Sequence, residues 1–401
     1  MTDMGSKNMA VMSGFPPDPK TAISPENWFD LPYLRWSLMN RSRMVRTVPV
    51  ARGLGPVSAL AEIDQGGLEP LKCVENPHDS LDAQLMSLEI DAFIILHKGR
   101  IVYERYFHGM KRGSLHGSAS VSKSFLGVLA GIMRGAGELD FEKTSEYYLP
   151  EMRGTAMGDA TLQQLMDMQA GIQRPRLAHR SPGVGEQDGG VYEIIGLLPH
   201  TDTSPRDFYE FIKKKPRSGS HGSFYYDNGP PEALAWIMKR VSGRPLSELL
   251  SEMLFEPLGA ERDASYTIDN TGAEFASGGL GLTLRDLARF GEMLRSGGFW
   301  NNRRLVPEAF LRDTMNGGDR GQFAKTRFAL SFPTGSYRNY FYLAHDDLAG
   351  FMASGRYGQR LYISPKAEIV IGQFASRDGL PPHPDEKRYA ALHQELASRF
   401  L

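Results

Sequence analysis

The chain of 401 residues carries 46 basic and 47 acidic side chains, a formal net charge of −1. That balance leaves no overall basic footprint for a nucleic acid and no acidic tail. Length suits two or three domains, 41% apolar and 23% charged residues suit a globular protein, and no apolar stretch approaches the ~20 residues of a membrane span.

In chain order, Met1 to Ala22 mixes Asp, Lys, Gly and Pro and lacks the apolar core and cleavage site of a secretory signal. The only cysteine, Cys73, excludes an internal disulfide and a cysteine metal cluster. A cytoplasmic location is the expectation. Residues 1–50 read as an N-terminal arm: Pro16, Pro17, Pro19, Pro25 and Pro32 break helices, while Trp28, Phe29, Tyr33, Leu34 and Trp36 offer anchors on the body. Ala92 to Leu96 and Ile101 to Phe107 flank Lys98-Gly99, the pattern of a tight hairpin. Ser122 to Arg134 is an apolar helix stopped at Gly135.

Residues 141–271 read as a mostly helical insertion. Thr161 and Gln164 have capping-box spacing, and Arg174 to Gly190 is a loop. Helices are expected over Asp207–Lys215, Pro231–Ser242 stopped by Gly243, and Pro245–Phe255 followed by Pro257 and Gly259. Thr283–Arg295 is amphipathic, with Leu284, Leu287, Phe290, Met293 and Leu294 on one face. Strands return at Arg360–Ile363 and Glu368–Phe374, and Pro384–Phe400 is a closing helix. The implied class is α+β: an antiparallel sheet from residues 51–140 and 272–401, flanked by helices, with residues 141–271 inserted and the active site between the two.

Nucleotide loops, HExxH and GxSxG are absent, and the ten histidines show no helical ligand spacing. Neither a metal nor another cofactor is expected. Ser120-Val121-Ser122-Lys123 is the only Ser-x-x-Lys in the chain. Residues three apart share a helix face, so the Lys123 amine can meet the Ser120 hydroxyl, and a helix N-terminus beside the serine suits an oxyanion. A serine cap followed by an ordinary helical lysine would read the same way. The apolar run Phe125, Leu126, Val128 and Leu129 would bury that lysine. A second element, Tyr226-Asp227-Asn228, could relay a proton through Tyr226 coupled to Lys123 and orient groups through the Asn228 amide. Tyr337-Arg338-Asn339 is a rival copy of Tyr-x-Asn.

Together these elements resemble the serine β-lactamase and penicillin-binding-protein superfamily in its class C-like branch. The order Ser-x-x-Lys then Tyr-x-Asn matches. So do Thr161-Leu162-x-x-Leu165-Met166-x-Met168, Leu254-Phe255-Glu256-Pro257-Leu258-Gly259 and Gly278-Gly279-Leu280-x-Leu282-Thr283-x-x-Asp286-Leu287-Ala288-Arg289-Phe290. Ser-Val-Ser-Lys-Ser, Ala233-Leu234-Ala235-Trp236, Phe275-Ala276-Ser277-Gly278-Gly279, Phe332-Pro333-x-Gly335-Ser336-Tyr337 and Gly358-Gln359 look like the subgroup of 6-aminohexanoate-dimer hydrolases and related carboxylesterases. The resemblance implies Ser120 as nucleophile, Lys123 and Tyr226 as its base, and the backbone N–H groups of Ser120 and Arg356 as the oxyanion hole. It places Tyr337 in a late framework segment.

The departures bear on substrate. Ala353-Ser354-Gly355 stands where the larger family has Lys-Thr-Gly, which removes a usual carboxylate anchor and speaks against β-lactams. Lys325-Thr326-Arg327 lies too early to replace it. The nylon-oligomer subgroup draws an acid and a tyrosine from the loop around 173–193, where Tyr192 or Glu193 falls, and its substrate-side asparagine appears as Ser277. The implied substrate contacts are Asn228, Ser277, Ser354, Gly355, Tyr192 and Tyr357, with the Arg356 side chain facing an acid group. The expected activity is cleavage of a small-molecule ester or amide, esters favoured, by a monomer or homodimer with no nucleic-acid or membrane partner. The alternatives are a D-amino-acid amidase, DD-peptidase or β-lactamase, and a silent binding protein of the same fold.

Overall fold

The computed structural model describes residues 10–62, 74–76, 78–173, 190–217, 220–379 and 385–401. Cys73 and most of the loop 173–193 lie outside them. The arm supplies helix α1 (Tyr33–Met39) and strand β1 (Thr47–Val50). Then come β2 (Ala61–Glu62), β3 (Ile90–His97), β4 (Arg100–Tyr106), β5 (His116–Gly117) and helix α2 (Val121–Gly135). The helix-rich stretch holds α3 (Leu162–Met166), α4 (Phe208–Lys213) and α5 (Gly229–Ser242), and ends in β6 (Ala264–Thr267). After it follow β7 (Leu280–Leu282), α6 (Leu284–Arg295), β8 (Ser336–Arg338), β9 (Phe341–Leu343), β10 (Phe351–Gly355), β11 (Gln359–Ser364), β12 (Ile369–Ala375) and α7 (Asp385–Ser398).

Among the described residues the main sheet has the order β8-β9-β10-β11-β12-β3-β4-β2. It is antiparallel except for the edge pair β2–β4. Both chain ends build it, because β12 pairs with β3, Ile371 opposite Ile95. The β3–β4 turn has Lys98 at φ 52° and Gly99 at φ 76°, two left-handed residues that match the right-handed twist of a tight hairpin. Helix α6 packs across β3, β11 and β12, and Phe290 on it stacks on Phe125 of α2 with ring centroids 3.8 Å apart. Burial on this scale, at roughly 25 cal/mol per Å² of apolar surface, is what fixes α2 against the sheet.

A second sheet has the order β1-β6-β7-β5. Its first two strands join the expected arm to the end of the expected insertion. The arm is a structural member, since Thr47 pairs with Thr267 and Val50 with Ala264. Strand β6, near the end of residues 141–271, thus belongs to this sheet. Proline breaks the arm's chain only locally: Pro32 stands at the N-cap of α1, where no N–H is needed. Buried Arg35 on α1 then ties the arm to β3, its Nε 2.7 Å from Asp91 Oδ1 and its Nη2 2.7 Å from Glu89 Oε2.

Candidate active site

Ser120 is the N-cap of α2, directly after Ala119 at φ 46°. A left-handed alanine is a costly conformation, and a small network holds it. Ser118 Oγ donates to the Leu280 carbonyl at 2.7 Å, Ser122 Oγ donates to the Ala119 carbonyl at 2.7 Å, and the Leu280 N–H donates to Ser122 Oγ at 3.2 Å. The serine is thereby pinned to β7. On its other side the end of β10 comes close: a Cβ on Gly355 would stand 2.6 Å from the Ser118 carbonyl and 3.1 Å from the Ser120 nitrogen. Glycine is required there for the close approach itself.

Lys123, one turn along α2, is 1% exposed. Its Nζ donates to Ser120 Oγ at 2.8 Å, to Asn228 Oδ1 at 2.9 Å and to the Ser277 carbonyl at 2.8 Å. Asn228 Oδ1 and the Ser277 carbonyl can only accept, so they hold two of the amine's hydrogens, while the Ser120 hydroxyl can exchange a proton with it. The Tyr226 ring lies under the same group, its centroid 5.0 Å from Nζ, wedged by Phe328 at 5.4 Å and Tyr337 at 6.2 Å. Asp227 sets the turn between Tyr226 and α5, accepting from the Gly229 N–H at 2.6 Å and pairing with Lys215 at 2.8 Å.

A residue the sequence did not single out, Glu232 on α5, stands behind this cluster. Its carboxylate accepts from the Ser277 N–H at 2.8 Å and the Ala276 N–H at 3.1 Å, fixing the segment whose carbonyl receives Lys123. Burial pushes the Glu232 carboxyl up to about 7, against the hydrogen bonds from Ser277 and Ala276 and the nearby Lys123 charge.

The rival motif does framework work. The Asn339 amide donates to Asp313 at 3.0 Å and Thr314 at 2.9 Å, Arg338 pairs with Asp313 and Asp167, and the Tyr337 ring is buried.

Two cavities meet at Ser120, Tyr226 and Arg356. The smaller, 70 Å³ and the more enclosed, is lined by Tyr192, Asn228, Ser277 and Tyr357 together with Trp28 and Arg41 of the arm. The larger, 300 Å³, is lined by Phe328, Phe332, Tyr342, Met352, Ser354 and Gly355. The residues implied as base, oxyanion donors or substrate contacts thus border one cavity or the other, except Lys123, which lies beneath them. Gly355 does so as a close backbone approach, and Asn228 and Ser277 through groups already bonded to Lys123. Ala353 is fully buried and borders neither cavity. Of the two candidates for the loop acid, Tyr192 faces the small cavity while Glu193 borders different surface grooves. Arg356 reaches Tyr192, its Nη1 2.9 Å from the phenol oxygen. The next residue, Tyr357, has φ 66°, so the β10–β11 turn bends sharply, and its ring packs on Leu34 and Leu38 of α1.

The pattern of the Beta-lactamase family matches residues 79–395. The chain belongs to the β-lactamase family. It is 29% identical over 374 residues to the 6-aminohexanoate-dimer hydrolase of Paenarthrobacter ureafaciens, covering 92% of this chain and 91% of that one. It is also similar to the structure of a Bacillus anthracis protein whose proposed identity is 6-aminohexanoate-dimer hydrolase. There the TM-score is 0.85 at 32% identity, over 94% of this chain and 97% of the other. A family VIII carboxylesterase shares the fold, with a TM-score of 0.57 at 16% identity over 77% of this chain and 92% of that one. This β-lactamase-family chain is a serine hydrolase with the expected α+β fold. No helix among its described residues is long and apolar enough to cross a membrane.

Proposed function

We propose that this hydrolase cleaves small carboxylic esters through an acyl-enzyme on Ser120. The observation that carries the reading is the 2.8 Å bond between Lys123 Nζ and Ser120 Oγ, made by a buried lysine under the junction of two cavities. As Ser120 Oγ bonds to the substrate carbonyl carbon, its proton passes to the Tyr226–Lys123 pair. The carbonyl electrons move onto oxygen, held by the N–H groups of Ser120 and Arg356. The carbon–oxygen bond to the leaving group then breaks, and the alkoxide takes the proton. Water, deprotonated by the same pair, attacks the acyl carbon and frees Ser120 and the acid.

An ester is favoured over an amide because an alkoxide departs without the full protonation an amine needs. Tyr192 in place of a carboxylate on the small cavity leaves no described acid there for a substrate ammonium. Ala353 in place of a lysine argues against β-lactams. Incubation with a fluorophosphonate or 4-nitrophenyl acetate should add mass to the Ser120 peptide, and Ser120→Ala should abolish labelling and turnover. Labelling that persists in Ser120→Ala, or none at all in the native protein, overturns the reading. On one sample, kcat/KM should rank short esters above 6-aminohexanoate dimer and nitrocefin. Equal turnover of the dimer would reverse the ester preference.

A further inference from the structure

We propose that the small cavity is an anion pocket for the acyl group, so that the preferred substrates are esters whose acyl part ends in a carboxylate on a short chain. The inference deepens the serine-hydrolase reading above and rests on it.

The central residue is Arg41, brought by the arm. Its Nη1 is buried without a hydrogen-bond partner. No carboxylate among the described residues pairs with it. A guanidinium cannot shed its proton at any working pH, and leaving a buried charge uncompensated is costly. Its surroundings offer only aromatic support. The Trp28 ring centroid is 5.7 Å from the guanidinium carbon, Tyr192 packs edge-on against Trp28 at 5.1 Å, and the Tyr357 and Tyr192 phenols are the ionisable groups that act on its charge.

Arg41 and Arg356 are the charged residues in the described lining of this cavity, Arg356 with its Nη1 on the Tyr192 phenol. Both therefore face a space that also touches the nucleophile Ser120. Ile195, Leu197 and Phe275 add apolar wall for a methylene chain, and Ser265 and Thr267 add neutral hydroxyls. A cavity of 70 Å³ holds several waters' worth of volume, enough for a carboxylate on a short methylene chain. A planar carboxylate also suits the two-pronged donors of a guanidinium. The leaving group must depart before water attacks, which assigns it to the larger, more open cavity. The enclosed one keeps the acyl group through both steps.

Two measurements separate this pocket from the chemistry it serves. In the first, Ser120→Ala protein is titrated with glutarate and with neutral glutaramide by calorimetry. Glutarate should bind and glutaramide should not, and Arg41→Met in the same background should remove glutarate binding. In the second, the ratio of kcat/KM for mono-4-nitrophenyl glutarate over 4-nitrophenyl pentanoate is compared between native protein, Arg41→Met and Arg41→Lys. The native ratio should exceed one. Arg41→Met should lower it roughly 10- to 100-fold, as expected for hydrogen bonds to a charged group, and Arg41→Lys should restore part of it.

A general folding defect lowers both rates and spares the ratio. Should Arg41→Met fail to fold, glutarate against glutaramide on Ser120→Ala still decides. A ratio below one, a ratio unmoved by Arg41→Met, or equal binding of the two titrants overturns the pocket. Glutarate binding to Ser120→Ala with no acylation of the native protein would instead retain the pocket and refute the serine mechanism.

Discussion

The Glu232 carboxylate and the Ser277 N–H meet at 2.8 Å, and on the far side of the same residue the Ser277 carbonyl takes a hydrogen from Lys123 at 2.8 Å. One buried acid on α5 thereby positions an acceptor for the lysine that touches Ser120. Asn228 at the start of the same helix supplies another. A helix of the helix-rich stretch thus sets the geometry of a lysine carried by α2.

Glu232 also predicts how stability depends on pH. Its folded value, about 7, lies above the ordinary 4.5 because burial disfavours the anion. The folded state therefore binds that proton more tightly than the unfolded state. Its contribution is fully present below about pH 4.5 and is lost as pH rises through 7, on the order of 3 kcal/mol. Asp167, pushed up to about 6 by burial, adds the same sign at lower pH, so the difference between two proteins is the useful quantity. Denaturant midpoints from pH 5 to 8 should fall less in Glu232→Gln than in the native protein. Parallel curves would show that Glu232 does not titrate there.

Lys123 and Tyr226 should behave as one unit. General-base help is worth about 10²–10⁴-fold, so Lys123→Ala and Tyr226→Phe should each lower kcat for 4-nitrophenyl acetate by that order. The double variant should lose far less than the product, because both act on one proton. Losses that multiply would assign two independent roles. Tyr337→Phe, by contrast, should spare kcat in folded protein, since that ring packs in the framework.

The arm should detach when its buried pair is cut. Arg35 and Asp91 have side chains 10% and 0% exposed, and removing one member of such a pair costs about 3–5 kcal/mol. His116 and Ser376 also bond Asp91. Burial pushes Asp91 upward, but His116 and Arg35 outweigh it and hold it below the usual carboxylate range. Its share of stability is therefore present above the ordinary carboxylate pKa and lost as pH falls through its lowered value. Arg35→Met should lower the melting temperature and open residues 10–46 to protease while the rest of the chain resists. Unchanged proteolysis would show that packing alone holds the arm.

What the sequence disclosed followed the reach of its signals. Lys98-Gly99, the Thr161–Gln164 capping box and the left-handed stops at Gly243 and Gly259 act within four residues, and each stands as expected. Ser120 and Lys123 are three apart on one helix and could be read in the same way. The β1–β6 pairing could not, because Thr47 and Thr267 lie far apart in the chain and a proline-rich segment carries no local mark of its register. Arg41 was missed for the same reason: an arginine in a polar arm looks solvated until tertiary packing covers one of its guanidinium nitrogens. Glu232 reads as an ordinary first-turn acid, and only its neighbours in space give it another task.

The join of β1 to β6 has a consequence for the order of assembly. Loop closure over so many residues must be met before the pairing returns any energy. The pairing also cannot begin on the ribosome until β6 has emerged, although β1 is made long before it. The main sheet waits longer still, because β3 needs β12 beside it. Trp28, Leu38 and Arg41 travel with the arm, so the enclosed cavity forms only after nearly the whole chain is available. A segment made before either sheet thus closes the wall of the site only after the strands that follow it.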